Sequence, residues 1–172
     1  MKDRLDHNIY LIGFMGCGKS SAASYLHRKY GMPVVEMDQQ IVDEAGMKIS
    51  EIFEKKGEES FRAMETDLLR RLSGVKNTVI SCGGGAAMRG ENVRLMREGG
   101  KIVLLTAEPE TILERVKNDT GRPLLDGHKN VADIREMMEK RRPAYEAAAD
   151  VTIATDDRTE AEIAQAILDA VR

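Results

Sequence analysis

The chain has 172 residues, enough for one domain with a sizeable buried core. Its 26 basic and 29 acidic side chains nearly balance, giving a formal net charge of −3, which argues against a dedicated duplex-DNA binder. The hydrophobic content of 42% excludes a disordered chain, and no apolar run reaches the roughly 20 residues that span a bilayer.

Apolar runs rich in β-formers alternate with helical patterns along the chain. In order, the patterns predict strand 8–13, helix 19–30, strand 33–37, a helical stretch over 39–73 broken near Gly46 and Gly57, strand 78–82, helix 91–97, strand 101–106, helix 110–117, a polar loop over 118–129, helix 131–148, strand 150–154 and helix 159–171. Continuous apolar strands between helices indicate a parallel sheet covered on both faces, a doubly wound α/β sandwich. Ligands of such sheets bind beyond the carboxyl ends of the strands.

A phosphate-binding motif follows the first predicted strand. Residues 13–20 read GFMGCGKS and fit G-x-x-x-x-G-K-[ST], in which glycines let backbone N–H groups cradle phosphate oxygens. Lys19 would hold the β- and γ-phosphates, and Ser20 would place its hydroxyl on Mg²⁺. The alternative is a Gly-rich turn that only caps a helix. The motif predicts a nucleoside triphosphate site and leaves kinase, GTPase and ATPase open.

Two carboxylates stand at the predicted end of the second strand. Glu36 and Asp38 are spaced i and i+2, which would turn both toward the same side of a strand. One would orient hydrated Mg²⁺ and the other would accept hydrogen bonds from a substrate hydroxyl. Alternatively, Asp38 is an ordinary N-cap of the next helix.

Further candidates for an anionic second substrate come later in the chain. Arg62 could bind a carboxylate of the substrate. Alternatively, it pairs with acidic neighbours on its own Glu-rich helix. Glycines 83–85 allow close approach of a ligand, or form a flexible turn. Arg122 in the polar loop suits a lid over phosphates, or a solvated surface loop. Arg141, in the predicted helix 131–148 that Pro143 would interrupt, suits carboxylate binding or a kinked, charged helix face.

Together these segments resemble the shikimate kinase family. The resemblance lies in GFMGCGKS, in Asp38 after the second strand, and in EIFEKKGEESFR (51–62), ISCGGGAA (80–87), RPLL (122–125) and RRPAYEAAADVTI (141–153). It covers residues from about 8 to 160. It implies one domain over 1–172 with the P-loop NTPase fold, a three-layer α/β/α sandwich whose five parallel strands follow the order 2-3-1-4-5. It also implies a substrate-binding region at about 36–64 and a lid at about 118–129.

The resemblance implies ATP-dependent phosphorylation of the 3-hydroxyl of shikimate, a step of chorismate and aromatic amino acid biosynthesis, with ATP and Mg²⁺ as cofactors. Its implied catalytic residues are Lys19, Asp38 and Arg122. The implied ATP-binding residues are Gly13, Gly16, Cys17, Gly18, Lys19, Ser20, Ser21, Arg115, Arg122 and Asp156. The implied shikimate-binding residues are Asp38, Phe53, Phe61, Arg62, Gly83, Gly84, Gly85 and Arg141. Mg²⁺ would be bound directly by Ser20 and through water by Glu36 and Ser81.

One position departs from the family pattern. The family usually has Asp where this chain has Glu36, which keeps a carboxylate but lengthens it by one methylene. Two other functions remain open: a related small-metabolite kinase acting on gluconate or a nucleoside monophosphate, and a catalytically inactive domain kept for binding. The N-terminus shows no signal-peptide pattern and only two cysteines occur. We therefore expect a cytoplasmic monomer that binds neither nucleic acid nor membrane.

Overall fold

Five parallel strands form one sheet in a computed structural model that describes residues 4–117 and 130–172. The strands are β1 (Asn8–Ile12), β2 (Val34–Glu36), β3 (Val79–Ser81), β4 (Gly100–Thr106) and β5 (Val151–Ala154). Their order across the sheet is β2-β3-β1-β4-β5, and every neighbouring pair is parallel. The expected fold class and strand order are thereby confirmed.

Eight α-helices are present within the described residues. They are α1 (Lys19–Tyr30), α2 (Met37–Ala45), α3 (Ile49–Lys56), α4 (Glu58–Leu72), α5 (Gly90–Gly99), α6 (Pro109–Val116), α7 (Val131–Ala148) and α8 (Glu160–Val171), with a short 3-10 turn at Ala86–Met88. The predicted breaks within 39–73 are confirmed. Gly46 and Gly57 end α2 and α3 with φ of 68° and 87°, a conformation that glycine adopts without a Cβ penalty.

The sheet separates two hydrophobic cores. Ile9 and Leu11 of β1 are fully buried in the core that α1 and α8 cover. Tyr10 and Ile12, which alternate with them, are buried in the opposite core beneath α4, α5 and α7. Successive residues of a strand face opposite sides of a sheet, so a continuous apolar strand is what burial on both faces requires.

Two local predictions were wrong. β2 ends at Glu36, and Met37 begins α2 with a fully buried side chain, so Glu36 and Asp38 do not share one strand face. The second error concerns Pro143, which does not interrupt its helix, since α7 continues through it. The proline removes one backbone donor there without ending the helix.

The predicted lid at 118–129, with Arg122, lies outside the described residues. Across the part of the chain that is described, none of the helices combines the length and apolar character needed to cross a membrane.

Candidate active site

A cleft of about 830 Å³ opens at the carboxyl ends of the strands. The predicted site residues that line it are Gly16, Gly18, Lys19, Ser20, Ser21, Glu36, Asp38, Phe53, Phe61, Arg62, Ser81, Gly83, Gly84, Gly85 and Arg115. They come from segments far apart in the chain, because parallel strands end at the same edge of the sheet. Of the described candidates, Gly13, Cys17, Arg141 and Asp156 do not line the cleft.

The phosphate-binding loop joins β1 to α1 through glycines in left-handed conformations. Gly16 and Gly18 have φ of 78° and 106°, and α1 begins at Lys19 with no acidic residue in its first turn. The N–H groups of a first helical turn have no acceptor within the helix, and the helix dipole makes this end attractive to anions. The loop therefore has the geometry and the charge to hold phosphate.

Lys19 lies within this loop rather than in an ion pair. Its ammonium group donates to the carbonyl oxygens of Gly13 and, at 3.4 Å, Phe14. Both acceptors are neutral, so the charge of Lys19 is not cancelled by these hydrogen bonds. A bound phosphate group would find a positive charge there.

Three oxygen-bearing residues adjoin the loop. Ser20 Oγ donates to Glu36 Oε2 at 3.0 Å, and Glu36 is paired with Ser81 in the register of β2 and β3. Hydroxyl and carboxylate oxygens are the ligands that Mg²⁺ prefers. Among the described residues there is no group of three or more His, Cys, Asp or Glu that could hold a metal. Ser20, Glu36 and Ser81 instead supply hydroxyl and carboxylate oxygens, the kind of donor that Mg²⁺ binds together with phosphate.

Asp38 and Glu65 meet at the first glycine of the Gly83–Gly85 segment. A Cβ added to Gly83 would lie 2.7 Å from Glu65 Oε2 and 2.8 Å from Asp38 Oδ1. No real side chain accommodates such contacts without displacing one of the carboxylates. Glycine is therefore required here by close approach.

Arg62 faces the same segment. Its Nη1 donates to Glu65 Oε1 at 2.8 Å and its Nη2 donates to Glu58 Oε1 at 3.2 Å, so the ion pairs that its helix predicted as an alternative are present. A Cβ on Gly85 would nevertheless lie 2.4 Å from Arg62 Nη1. The pairs hold the guanidinium against the glycine segment, and Arg62 still lines the cleft.

Glu65 is a site residue that the sequence analysis missed. Its side chain is fully buried, and its Oε2 has no hydrogen-bond partner. Burial raises the pKa of Glu65 above the ordinary value, although Arg62 opposes the shift. Its spacing of three residues after Arg62 was the available signal, but the same spacing is common in surface pairs.

Arg141 approaches the glycine segment from α7. Its guanidinium lies 5.8 Å from the centre of the Phe14 ring, and its buried Nη1 has no hydrogen-bond partner. A Cβ on Gly84 would lie 3.0 Å from that Nη1. One turn along the helix, the Tyr145 hydroxyl donates to the Gly84 carbonyl. Arg141 is thus a half-buried cation beside the cleft, and its buried Nη1 still has donor capacity.

The aromatic candidates form one wall of the cleft. Phe53 and Phe61 pack with ring centroids 5.2 Å apart and planes tilted by 55°. The Arg62 guanidinium lies 5.3 Å from the centre of the Phe61 ring. These contacts join an apolar wall to the cationic side of the cleft.

Arg115 and Thr155 bracket the other end of the phosphate loop. Arg115 Nη1 donates to the Gly16 carbonyl at 3.0 Å and to Thr155 Oγ1 at 3.2 Å. Thr155 Oγ1 in turn lies 2.8 Å from the carbonyl oxygen of Cys17. Thr155 precedes Asp156 in the segment that, by the family resemblance, flanks the nucleotide. It is a small, fully buried polar residue without a distinctive motif.

Asp156 is placed away from the cleft. Its Oδ1 accepts hydrogen bonds from the Glu108 N–H at 3.0 Å and the Thr111 hydroxyl at 2.7 Å, at the start of α6. Burial works to raise the pKa of Asp156, but these hydrogen bonds outweigh it and leave the pKa below the ordinary value. In this position Asp156 caps the start of α6.

Known proteins resemble the chain over almost its entire length. The shikimate kinase family model matches residues 15–172. A shikimate kinase of Persephonella marina is 44% identical over 96% of this chain and 99% of its own, and one of Moorella thermoacetica is 41% identical over 96% and 94%. A solved shikimate kinase from Acinetobacter baumannii, in complex with shikimate, superposes with a TM-score of 0.89 at 35% identity, covering 95% of this chain and 91% of that one.

The family match covers the phosphate loop from residue 15, helices α2 to α4 and the glycine segment, all of which line the cleft, and also α7, which carries Arg141 beside it. Relatives above 40% identity match over nearly all of both chains. The chain therefore belongs to the shikimate kinase family.

Proposed function

We propose that the protein transfers the γ-phosphoryl group of ATP to the 3-hydroxyl of shikimate and releases shikimate 3-phosphate. The observation that carries the proposal is that one cleft brings the phosphate loop together with Asp38 and Arg62, beside the half-buried Arg141. The phosphate loop suits a nucleoside triphosphate. The aspartate and the two arginines suit an acceptor with both hydroxyl and carboxylate groups.

ATP would bind with its phosphates on the loop. The first-turn N–H groups of α1 and the Lys19 ammonium would hold the phosphate oxygens. Arg115 and Thr155, which already contact the loop carbonyls, would lie beside the nucleoside end. Arg122, outside the described residues, would neutralise charge on the transferred group, as the family resemblance implies.

Ser20, Glu36 and Ser81 would hold Mg²⁺, because Ser20 Oγ meets Glu36 Oε2, Ser81 is paired with Glu36 in the sheet, and all three residues line the cleft. When bound, the ion would neutralise phosphate charge and favour attack on the γ-phosphorus. The protein's own contribution is to hold Ser20 at the first turn of α1 and Glu36 at the end of β2, so that both face the phosphate loop.

Shikimate would bind against the Gly83–Gly85 segment. Arg62 and Arg141 would pair with its carboxylate, and Phe53 and Phe61 would cover the ring. Asp38 would accept the hydrogen bond of the reacting hydroxyl and take its proton as the new bond to phosphorus forms. Most of the rate enhancement in phosphoryl transfer comes from such positioning and charge stabilisation.

We further propose that the enzyme works as a cytoplasmic monomer, without nucleic acid or membrane as a partner. The near balance of charge supports this, since attraction to polyanionic surfaces requires a basic excess.

The substrate assignment is tested by ligand-dependent stabilisation and by the product. Shikimate, but not gluconate or CMP, should raise the thermal midpoint of unfolding, because only a ligand that binds the folded state stabilises it. Phosphorus NMR of the reaction mixture should show a monoester at the 3-position of shikimate. Stabilisation by gluconate or CMP in place of shikimate would contradict the proposal.

A further inference from the structure

A buried amide ties the end of the glycine segment to the helix that carries Arg62. Asn92, in the first turn of α5, is fully buried. Its Nδ2 donates to the carbonyl oxygen of Ala86 at 2.8 Å, and its Oδ1 accepts from the hydroxyl of Thr66 on α4 at 2.6 Å. Neither Asn92 nor Thr66 lines the cleft, so any effect of this bridge on a ligand must pass through other groups.

The direction of the two hydrogen bonds follows from the chemistry of the groups. A backbone carbonyl can only accept, so the amide must turn its NH₂ group toward Ala86. The amide oxygen then faces Thr66, whose hydroxyl has to donate to it. Asn92 therefore uses both ends of its amide, and a buried polar group that loses such a partner is costly.

Both ends of this bridge are next to groups that line the cleft. Ala86 directly follows Gly85, where a Cβ would have no room beside the Arg62 guanidinium. Thr66 comes one helical turn after Arg62, and its hydroxyl also lies 3.2 Å from the Arg62 carbonyl oxygen. The bridge therefore sets how far the backbone at Gly85 stands from α4, and with it the space in front of the Arg62 guanidinium.

A separate contact ties the same stretch of backbone to the helix of the other arginine. The Tyr145 hydroxyl donates to the Gly84 carbonyl from α7, which also carries Arg141. The backbone is thus tied to α4 and to α7 at two different carbonyls. Loss of the Asn92 bridge should release the α4 side and leave the α7 side in place.

We propose that Asn92 is a positioning residue for the carboxylate of the acceptor. Through its two hydrogen bonds it holds Gly85 and Arg62 at the separation that this carboxylate requires. This role deepens the proposed function and rests on it. Loss of the bridge should impair the use of shikimate and leave the use of ATP unchanged, since the phosphate loop is held between β1 and α1 and not by this bridge.

Substitutions at Thr66 break the bridge with little change of shape. Thr66→Val keeps the volume but leaves the Asn92 oxygen without its donor, whereas Thr66→Ser keeps the hydroxyl. In Thr66→Val, kcat/KM for shikimate should fall about 10- to 100-fold, because a misplacement of about 1 Å can cost about 10² in rate. Asn92→Leu should cause a similar fall, Thr66→Ser should stay near the wild type, and KM for ATP should be unchanged in all three.

A double-mutant cycle separates positioning of Arg62 from a general weakening of the fold. In an Arg62→Ala background, Thr66→Val should cause almost no further loss of kcat/KM for shikimate, because the group that it positions is gone. In an Arg141→Ala background, the same substitution should cause its full loss.

Two results would overturn the positioning role alone: equal further losses in the two backgrounds, or equal kinetics of Thr66→Val and Thr66→Ser. If the wild type showed no shikimate-dependent turnover at all, the proposed function would be overturned as well.

Discussion

Asp38 lies against Gly83 in the same cleft as Lys19, where a carboxylate is placed to receive a proton. Asp38→Asn keeps the size of the side chain but removes the charge that accepts the proton. We expect kcat to fall about 10²- to 10⁴-fold, with a smaller change in the dissociation constant of shikimate. Steady-state kinetics and calorimetric titration measure the two quantities separately.

The matched control is Asp43→Asn on the same helix, at an exposed carboxylate that accepts a hydrogen bond from Gln39 at 2.8 Å. It should leave kcat unchanged. A wild-type kcat in Asp38→Asn would show that this carboxylate neither accepts the proton nor orients the hydroxyl.

Arg141 and Arg142 are neighbours in sequence with different surroundings. Arg141 Nη1 is buried without a partner beside Gly84, whereas Arg142 pairs with Glu139 at 2.6 Å on the exposed side of α7. Removing a charged hydrogen bond to an anion costs about 1.5–3 kcal/mol, so Arg141→Ala should raise KM for shikimate by about 10- to 100-fold. KM for ATP should change far less.

Arg142→Ala removes the same charge one residue away and should leave both KM values near those of the wild type. Equal effects of the two substitutions would contradict the assignment, because they would mean that only overall charge matters.

At the scale of elements, the glycine segment after β3 is the part of the cleft with the least room. Gly83→Ala adds a Cβ that would lie within 3 Å of both Asp38 and Glu65, so one carboxylate must move. We expect a higher KM for shikimate and a lower kcat, measured with ATP in excess. Gly90→Ala, where a Cβ meets nothing within 4 Å, is the control and should retain wild-type kinetics. Unchanged kinetics in Gly83→Ala would mean that the close approach is not needed.

The start of α6 depends on Asp156. Because its carboxylate caps Glu108 N–H and Thr111 Oγ1, Asp156→Ala should lower the free energy of unfolding by about 1 kcal/mol at pH 7. The folded-state pKa lies below the ordinary 3.8, so this stabilisation is present above pH 3.8 and is lost as pH falls through the folded-state pKa.

Urea unfolding of the wild type and of Asp156→Ala, from pH 7 to below pH 3.8, measures how this stabilisation depends on pH. The difference between wild type and Asp156→Ala should shrink as the solution becomes more acidic. A large rise in KM for ATP without loss of stability would instead support the nucleotide contact that the family resemblance implied.

For the whole molecule, the architecture could be predicted from sequence patterns that depend on local backbone structure and on burial. Continuous apolar runs such as 101–106 predicted strands buried on both faces, and β4 has that environment. The phosphate loop was recognisable because its glycines and lysine act through the local backbone. The strand order came from the family resemblance, since alternation of elements alone leaves several orders open.

What the sequence left undetermined depends on contacts between distant segments. Whether the side chains of Glu36 and Asp38 face the same side could not be predicted without knowing that α2 begins at Met37. Glu65 looked like a surface partner of Arg62 until burial by the packed helices was known. The hydrogen bonds of Asp156 to Glu108 and Thr111, 48 and 45 residues away in sequence, could not be predicted from the sequence.

The near-neutral net charge conceals an uneven distribution. Lys19, Arg62 and Arg115 line one cleft, and Arg141 lies beside it, in a chain whose formal charge is −3. Two anionic substrates bound together require such a local concentration of cations. The three phenylalanines are also concentrated there, since Phe53 and Phe61 line the cleft and Phe14 lies in the phosphate loop.

Shikimate kinase activity is tested most directly by the rate of ADP release in the presence and absence of shikimate, with ATP and Mg²⁺ supplied. We expect slow release without shikimate and a saturable increase when shikimate is added, and Lys19→Ala should abolish this increase. Gluconate and CMP should produce no increase. ADP release that is insensitive to shikimate, or that responds to gluconate or CMP instead, would contradict the proposed function.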